Sequence, residues 1–409
     1  MSRQSDALRD LAPALLGFDS CLMLEDGRVF LGRGFGAPRD AEGEVVFNTS
    51  MAGYQEIATD PSYHGQMVVL THPQIGNYGA QLEAAESRRP WVAALIVRDL
   101  ARHPNHWASH TRLDELLAAE GVPGIEGVDT RALTRHLRMH GTKRAVLRRV
   151  NLAAGPLDHG ELARAAGSVV PLTQKNLVGE ASGPTLLDAR TARATARAGD
   201  RAALHVALID CGVKHNIVRS LVARNVRLTA LPWNADIDAV LATGAQGVVI
   251  SNGPGDPESV NPTVVLAKEL LRRAIPTLGI CLGHQVIGLA AGGTTSRLKY
   301  GHHGGNHPVR DLVRQQVHIT SQNHEFQVDA ASIPAASGLS VSMVNLNDGS
   351  VEGLAHHELP VFSVQYHPEA CPGPEDNQYI FECFLDMVAR PVAGRGALGG
   401  HTSAVGGGA

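Results

Sequence analysis

Short apolar runs separated by polar turns occupy the first 150 residues of the chain. Residues 21–24 and 29–31 flank Glu25-Asp26-Gly27-Arg28, and an Asp-Gly pair between apolar runs predicts a β-hairpin. Similar runs predict strands at residues 45–47, 67–70 and 92–97. Helical spacing of apolar residues predicts helices at residues 113–120 and 130–140, the second ending at Gly141. This region is therefore expected to mix α and β elements without regular alternation.

The pattern becomes regular after residue 203. Strand-like runs alternate with helix-like runs, and the short loops between them predict right-handed βαβ units in a largely parallel sheet. The predicted strands lie at residues 204–209, 226–230, 247–250 and 276–280, and the predicted helices at residues 216–224, at residues 264–274 and after Cys281. Later strand-like runs lack long helices between them, and Asp348-Gly349 predicts a second hairpin. These runs lie at residues 317–320, 340–345, 351–354 and 361–365.

Composition shifts along the chain predict its domain organisation. From about residue 171 to residue 202 the apolar pattern weakens and small, polar, Gly- and Thr-containing stretches take over, which is typical of an inter-domain connection with at most a surface helix. The last residues are glycine-rich and have no apolar periodicity. We therefore expect an N-terminal domain at residues 1–155, a linker at 156–202, an α/β domain at 203–390 and a disordered tail at 391–409.

The overall composition is that of an ordinary globular protein and excludes several classes. The 409 residues carry a formal net charge of −4, which argues against nucleic acid or an acidic membrane as the main partner. No apolar run reaches the roughly 18 residues of a membrane-spanning helix, and the N-terminus lacks a secretion-signal pattern. Five scattered cysteines fit reduced thiols better than a disulfide framework. We therefore expect a cytoplasmic protein.

The strongest chemical signal surrounds Cys281, in Gly279-Ile280-Cys281-Leu282-Gly283-His284-Gln285. This stretch follows a short apolar strand and opens a helix, and its glycines permit the sharp turn that exposes a nucleophile. The positive end of the helix dipole favours a thiolate there. The same turn would aim the N–H groups of Leu282 and Gly283 outward as part of an oxyanion hole. The alternative is an inert buried cysteine at a tight turn.

A second signal is Gln365-Tyr366-His367-Pro368-Glu369, near the end of the last predicted strand. Pro368 favours extended backbone before it, so His367 and Glu369 would point the same way. A carboxylate beside an imidazole holds its tautomer and stabilises the imidazolium. His367 could therefore deprotonate Cys281 while Glu369 orients it, although a surface His-Pro-Glu turn is the simpler interpretation of this stretch alone.

The glycine-rich stretch Ser251-Asn252-Gly253-Pro254-Gly255 follows a predicted parallel strand, where open α/β sheets bind their ligands. The N–H of Gly253 could complete an oxyanion hole, although a plain turn is the better interpretation of this stretch taken alone. The sequence contains neither a G-x-x-x-x-G-K-[ST] loop nor a complete G-x-G-x-x-G after a strand. It therefore argues against a nucleotide cofactor on this chain.

Other reactive side chains have weaker patterns. The stretch Gly301-His302-His303-Gly304-Gly305-Asn306-His307 invites a metal-binding interpretation, but no cysteine or carboxylate stands nearby at ligand spacing. We therefore expect a structured Gly/His loop without a metal. Cys371 is either a small loop residue or a thiol that oxidises onto Cys281.

Three motifs together, LGICLGHQ, SNGPGDP and QYHPE, resemble those of class I glutamine amidotransferases of the triad type. The stretches VVFNTSMAGYQEIATDPSYHGQ, GIEGVDTRALTRHLR and GHHGGNHPV resemble the small subunits of glutamine-dependent carbamoyl-phosphate synthases. The resemblance runs from about residue 21 to about residue 388. It implies a flavodoxin-like α/β amidotransferase domain, preceded by a mixed α+β domain that docks onto a synthetase subunit.

The resemblance also implies roles for single residues. Cys281 would attack the side-chain amide of L-glutamine to form a γ-glutamyl thioester, with His367 as base and then acid, oriented by Glu369. The N–H groups of Gly253 and Leu282 would bind the oxyanion. The positions that match glutamine-binding residues of the family are Ser50, Gly255, Gln285, Asn323 and Phe326. A further glutamine-binding position, Glu325, does not match in residue type, and its contact would be made through the backbone. The family usually has glycine at the position of Glu325, which would be strained if that position required a positive φ.

The partner implied by the resemblance is a large subunit that uses ATP and bicarbonate and receives ammonia through an internal tunnel. The two chains would form a heterodimer or a higher oligomer, with ATP and magnesium on the large subunit and no cofactor on this chain. Two other hypotheses remain open: a triad amidotransferase that supplies ammonia to a different acceptor, and a non-catalytic docking or regulatory subunit.

Overall fold

The computed structural model describes residues 17–150, 158–183 and 204–390. The expected domain boundaries at residues 155 and 202 fall outside the described residues, and so does the tail expected at residues 391–409. Within the described residues, no helix is both long enough and apolar enough to cross a bilayer.

The first part of the chain folds into a closed barrel of seven strands. The strands are β1 (Ser20–Leu24), β2 (Val29–Gly36), β3 (Ala41–Asn48), β4 (Gln66–Leu70), β6 (Ala94–Ile96), β8 (Pro123–Glu126) and β9 (Lys143–Arg149), in the order β1-β2-β8-β6-β4-β3-β9. Two short strands, β5 (Gln74–Ile75) and β7 (Asp99–Leu100), form a separate parallel pair. The predicted first hairpin is confirmed, since Cys21 lies opposite Leu31 and Met23 opposite Val29. Closure of the barrel was not predicted.

Short helices accompany the barrel in the part of the chain that the structure describes. They are α1 (Tyr54–Thr59), α2 (Leu113–Ala119), α3 (Thr130–His140), α4 (His159–Gly167) and α5 (Leu177–Ala181). The predicted bounds of α3 are confirmed: the Asp129 side chain accepts from the N–H of Ala132, and Gly141 follows at φ +83°. In the segment expected to be a linker, α4 packs on the barrel, where Ala166 and Val169 join a buried cluster with Met23 and Val146.

The second part of the chain forms a nine-stranded sheet. Its strands are β10 (His205–Asp210), β11 (Arg227–Pro232), β12 (Gly247–Ile250), β13 (Thr277–Ile280), β14 (Thr295–Asp311), β15 (Gln316–Val328), β16 (Leu339–Asn345), β17 (Val351–His356) and β18 (Val361–Val364). The order is β11-β10-β12-β13-β18-β17-β16-β14-β15. The first five strands in that order are parallel, as predicted, and the remaining strands are antiparallel. The second hairpin is also confirmed, because β16 and β17 pair around Asp348-Gly349.

Helices cover both faces of the parallel strands. They are α6 (His215–Ala223), α7 (Ile237–Ala242), α8 (Asn261–Arg272), α9 (Leu282–Ala290) and α10 (Tyr379–Ala389). Along β10, Val206 and Leu208 pack in the buried cluster that includes residues of α6 and α10, whereas Ala207 and Ile209 pack in the cluster that includes residues of α8 and α9. Burial on both faces is typical of a doubly wound α/β sheet.

One prediction about this half is wrong. Residues 301–307 are not a loop but part of the long strand β14, which pairs with β15 and places His302 opposite His324. The glycines hid the strand, because glycine has low strand propensity and the stretch has no apolar alternation. The strand is held instead by its pairing with β15.

The barrel packs directly on the edge of the sheet that carries the sequence motifs. The N–H of Thr49 donates to the carbonyl of His303 (3.3 Å), and the N–H of Thr142 donates to the carbonyl of Lys299 (3.1 Å). Nδ2 of Asn252 donates to the Ser62 hydroxyl (2.9 Å). Residues of the barrel domain therefore reach the carboxyl ends of the parallel strands, where a ligand would bind.

Candidate active site

Cys281 occupies a sharp turn between β13 and α9. Its backbone lies at φ +54° and ψ −102°, a conformation that costs free energy for any residue except glycine. Neither nearby glycine has room for a side chain. A Cβ at Gly279 would lie 2.5 Å from the carbonyl oxygen of Gly283, and a Cβ at Gly283 would lie 2.1 Å from the carbonyl oxygen of Ile250. The predicted nucleophile elbow is therefore present.

His367 and Glu369 follow β18 and are fully buried side by side. Nδ1 of His367 lies 2.6 Å from Oε1 of Glu369, and the N–H of His367 donates to the carbonyl of Ser321 at 2.8 Å. A proton on Nδ1 is thus held by the carboxylate, and Nε2 faces away from it. Within the described part of the chain, Nε2 has no hydrogen-bond partner. It is the ring atom available for proton exchange with Cys281.

Buried charges around this pair fix its protonation state. Burial and the Lys214 ammonium would lower the pKa of His367, but the Glu369 carboxylate and the Cys281 side chain raise it well above its ordinary value. Burial would raise the pKa of Glu369, yet Lys214 and then His367 hold it far below its usual range. The favoured state is a His367 imidazolium paired with a Glu369 carboxylate. Because the two groups are strongly coupled, their protonation changes as a pair rather than residue by residue.

Lys214 is the cation behind Glu369. Its Nζ lies 3.1 Å from Oε1 of Glu369 and donates to the carbonyl of Ala370 at 2.6 Å. Burial opposes the charge, but Glu369 and two other carboxylates raise the pKa of Lys214 above its ordinary value. No local pattern in the sequence marks this residue, because it lies far from Glu369 along the chain.

Two backbone N–H groups beside Cys281 form the candidate oxyanion hole. Gly253 lies so close to the neighbouring chain that a Cβ there would approach the carbonyl oxygen of Cys211 to 2.1 Å. In the described turns and loops, the N–H groups of Gly253 and Leu282 donate to no backbone carbonyl. The expectation for Gly283 is wrong, because its N–H donates to the carbonyl of Ser251 at 3.1 Å.

Cys281 opens onto a cleft with an empty volume of about 490 Å³. Six of the residues expected to contact the substrate line it: Gly253, Gly255, Gln285, Asn323, Glu325 and Phe326. Leu282 and Ser50 do not. The hydroxyl of Ser50 is nevertheless buried and, among the described residues, has no hydrogen-bond partner.

Seven further lining residues were not predicted: Ser62, His64, Gln66, Leu172, Thr173, His303 and His324. Five of them come from the barrel and from the segment expected to be a linker. Ser62, His64 and Gln66 belong to the stretch that ends in PSYHGQ. The resemblance of this stretch to the family was the one feature of the sequence that could have marked them as site residues.

Asn323 joins the two halves of the cleft. Its Nδ2 donates to Oδ2 of Asp60 on the barrel side (2.8 Å), and its Oδ1 lies 3.0 Å from Nδ1 of His303. Burial lowers the pKa of His303 to about 3, so this imidazole is neutral. The carbonyl of Asn323 lies 3.5 Å from Sγ of Cys281. Gln285 is fixed in the same wall, because its Nε2 donates to the carbonyl of Phe326 at 2.8 Å.

Glu325 does not adopt the strained conformation considered above, since it is not among the residues with positive φ. Its buried carboxylate accepts from Arg297 (2.7 Å) and from the Thr142 hydroxyl (3.2 Å). Arg297 also bonds Glu44 of the barrel. Burial, together with Glu44, raises the pKa of Glu325 despite the opposing charge of Arg297.

The histidine-rich strand holds a charge cluster. Ligand atoms of His302, His324 and Glu352 lie within 4.8 Å of one another, a grouping that could hold a metal ion. However, Nε2 of His302 lies 2.9 Å from Asp348, and its Nδ1 lies 3.7 Å from Glu352. Burial alone would lower the pKa of His302, but these carboxylates raise it to about 9. His302 is thus an ion-paired histidine in this structure, and a metal ion would have to displace the proton that the two carboxylates stabilise.

Cys371 lies two residues beyond Glu369 and is half-buried. Burial raises the pKa of its thiol to about 12, which disfavours the thiolate that disulfide formation requires. The linkage of Cys371 to Cys281 stays a hypothesis.

Comparisons with known proteins agree with this arrangement. Residues 207–387 match the family described as glutamine amidotransferase class-I, and residues 22–147 match the carbamoyl-phosphate synthase small chain, CPSase domain. The doubly wound sheet with its cysteine elbow thus defines a flavodoxin-like class I glutamine amidotransferase domain, preceded by a mixed α+β domain.

Full-length relatives narrow the assignment. A carbamoyl phosphate synthase small chain of Symbiobacterium thermophilum is 47% identical over 90% of this chain and 98% of its own length. One of Clostridium perfringens is 43% identical over 89% of this chain and 98% of its own length. The chain belongs to the carbamoyl phosphate synthase small chain family.

Proposed function

We propose that this chain is the glutaminase subunit of a glutamine-dependent carbamoyl-phosphate synthase, with Cys281, His367 and Glu369 as its catalytic triad. The observation that carries the proposal is the buried His367–Glu369 pair beside a cysteine elbow that opens onto a polar cleft. Nucleophile, base and orienting carboxylate are the three parts that acyl transfer by cysteine requires.

The first half-reaction forms the thioester. The proton of Cys281 passes to Nε2 of His367, which Glu369 holds as an imidazolium. The thiolate attacks the amide carbon of L-glutamine, and the N–H groups of Gly253 and Leu282 stabilise the oxyanion. The imidazolium then protonates the departing nitrogen, the C–N bond breaks, and ammonia leaves a γ-glutamyl thioester on Cys281.

The second half-reaction releases glutamate. Neutral His367 takes a proton from water as the oxygen attacks the thioester carbon. The C–S bond breaks, which restores the thiolate and the imidazolium and gives L-glutamate. The sum is L-glutamine + H2O → L-glutamate + NH3.

Substrate contacts follow from the cleft walls. We assign the backbone of Gly255 and Phe326 and the side chains of Gln285 and Asn323 to glutamine binding. Ser50 contributes its unpartnered hydroxyl, and Glu325 contributes its backbone, since its carboxylate is paired with Arg297.

The partner is a large subunit that uses ATP and bicarbonate, and ATP and magnesium bind there. The sequence of this chain contains neither of the two phosphate-binding motifs described above. Free ammonia is mostly protonated at neutral pH and then no longer nucleophilic, so a sealed path from Cys281 to the large subunit serves the coupled reaction.

The test is Cys281→Ser in the holoenzyme. We expect glutamine-dependent carbamoyl phosphate synthesis to fall by about a thousandfold or more, because serine lacks the thiolate. Synthesis from added ammonia should persist. Cys383→Ser, at a half-buried cysteine on α10, is the matched control and should leave both rates unchanged.

Other outcomes separate the alternatives. Wild-type glutamine use by Cys281→Ser would refute the assignment of the nucleophile. A wild-type chain that assembles with the synthetase but hydrolyses no glutamine would be a docking subunit. Glutamine hydrolysis that supports amination of a different acceptor would identify another amidotransferase.

A further inference from the structure

Glu86 belongs to the barrel domain but binds the first turn of helix α6 in the amidotransferase domain. Its carboxylate is completely buried. Oε2 accepts from the N–H of Asn216 at 3.1 Å, and the carbonyl of Glu86 accepts from the N–H of His215 at 2.7 Å. Oε1 accepts from Arg219 at 3.0 Å. Glu86 therefore caps α6 from another domain, at the end where a negative charge stabilises a helix.

The same turn of chain holds the catalytic carboxylate from its other side. Nζ of Lys214 lies 3.1 Å from Oε1 of Glu369, and Nδ2 of Asn216 donates to the carbonyl of Glu369. His215 and Asn216 thus contact Glu86 through their backbone N–H groups, and Lys214 and Asn216 contact Glu369 through their side chains. A shift of this turn would move the carboxylate that orients His367.

Glu86 itself is not part of the cleft. It is absent from the described residues that line the cavity at Cys281, and its carboxylate oxygens are taken by α6. Any effect of Glu86 on glutamine hydrolysis must therefore pass through α6 and Glu369.

We propose that Glu86 is a positioning residue for the glutaminase reaction, which fixes Lys214 and Asn216 and thereby couples the seating of the barrel domain to the catalytic His367–Glu369 pair. This inference rests on the triad assigned above. Through Glu86 the barrel domain would influence the rate of glutamine hydrolysis, in addition to its proposed role in docking onto the synthetase subunit.

The charges around Glu86 set the sign of the expected pH effect. Lys214 and Arg219 face it as cations, Lys214 in turn pairs with the Glu369 carboxylate, and the Cys371 thiol also interacts with Glu86. Burial raises the pKa of Glu86 to about 7 against the pull of both cations. Glu86 therefore carries its negative charge above about pH 7 and loses it below, so removal of the charge should lower kcat most on the alkaline side.

The experiment compares Glu86→Gln with Glu382→Gln in the holoenzyme. The first substitution keeps the shape of the side chain and an acceptor oxygen but removes the charge. Glu382 pairs with Arg224 at the opposite end of the same helix (2.8 Å), in an exposed position, and is the matched control. For Glu86→Gln we expect kcat for glutamine hydrolysis to fall about tenfold, with KM within about twofold of wild type. The difference in kcat between Glu86→Gln and wild type should shrink as pH falls below about 7, because Glu86 of the wild type is then itself protonated.

A purely structural role predicts otherwise. If Glu86→Gln has the wild-type kcat and pH profile, or if its loss of glutamine hydrolysis is matched by an equal loss of ammonia-dependent synthesis, the proposal is overturned.

Asn216→Ala is a second variant, since it removes the hydrogen bond to Glu369 but leaves the backbone cap. It should lower kcat without changing KM, and an unchanged kcat would contradict the coupling even if Glu86→Gln failed to fold. A wild-type enzyme that does not hydrolyse glutamine would instead refute the proposed function.

Discussion

Cys281 is held in a strained backbone conformation by its neighbours on both sides. β13 ends at residue 280 and α9 begins at residue 282, so the change of direction falls on the cysteine itself. The strain is tolerated because the flanking glycines leave no side chain to collide. This arrangement was predictable, since the glycine spacing and the strand-to-helix pattern are local features.

At the residue scale, the sequence also indicated His367 and Glu369, but the predicted extended backbone between them is wrong. Pro368 and Glu369 form a turn in which the N–H of Ala370 donates to the carbonyl of His367 at 3.1 Å, and this turn brings the two side chains together. The sequence could not indicate Lys214, Glu86 or His303. Their contacts with the site depend on chain segments that are distant in sequence, and no local pattern marks a buried charge as paired.

Glu369→Gln tests the charge of the triad. Glutamine retains an acceptor for Nδ1 of His367 but no negative charge, so the imidazolium loses the partner that raises its pKa. We expect kcat to fall about a hundredfold and the alkaline limb of the pH–rate profile to move to lower pH. Measured pH profiles of glutamine hydrolysis check this, with the exposed Glu358→Gln as control. An alkaline limb that stays in place would contradict the assigned role.

At the scale of elements, the site lies where β12, β13 and β18 end together. Gly253 follows β12, Cys281 follows β13 and His367 follows β18. Alternation of strands and helices predicted a parallel sheet, and a parallel sheet brings the carboxyl ends of its strands to one edge. The order of the strands could not be predicted, because β18 lies beside β13 only through long-range pairing.

Gly253→Ala tests the turn after β12. The new Cβ would lie 2.1 Å from the carbonyl oxygen of Cys211, so the backbone must shift and carry its N–H away from the oxyanion. We expect kcat for glutamine hydrolysis to fall about a hundredfold, the typical effect of losing one oxyanion donor. Gly167→Ala is the control, because a Cβ at Gly167 meets nothing within 4 Å. Unchanged kcat in Gly253→Ala would exclude this N–H from the oxyanion hole.

At the scale of the whole molecule, the cleft exists only where the two domains meet. Asp60 and Ser62 of the barrel bond Asn323 and Asn252 of the amidotransferase domain. A second bridge joins Glu44 of the barrel to Glu325 through Arg297. One cation therefore serves two buried carboxylates that belong to different domains.

Arg297→Gln tests this bridge. Without the cation, Glu44 and Glu325 face each other in a buried site, and breaking such a pair typically costs about 3–5 kcal/mol. The pKa of Glu325 is already raised in the folded chain, and it should rise further, so the folded state will favour the protonated carboxyl. The loss of stability should therefore be greatest above neutral pH and should shrink as pH falls through the raised pKa of the folded state.

Unfolding by denaturant at several pH values measures this effect. Arg297→Gln combined with Glu325→Gly should recover part of the lost free energy of unfolding, because only one buried carboxylate then remains. A loss that is independent of pH, or one that the second substitution does not reduce, would contradict the bridge.

Linear patterns were enough to predict the features that depend on neighbours in the chain: the first hairpin, the bounds of α3, the parallel strands and the cysteine elbow. Backbone preferences and short-range steric limits act within a few residues, so they are visible in a linear pattern. Contacts between distant segments, in contrast, close the barrel, make residues 301–307 part of a strand and bring barrel residues into the cleft. These outcomes depend on hydrogen bonds, burial and buried charges between distant segments, whose free energies arise only when the segments meet.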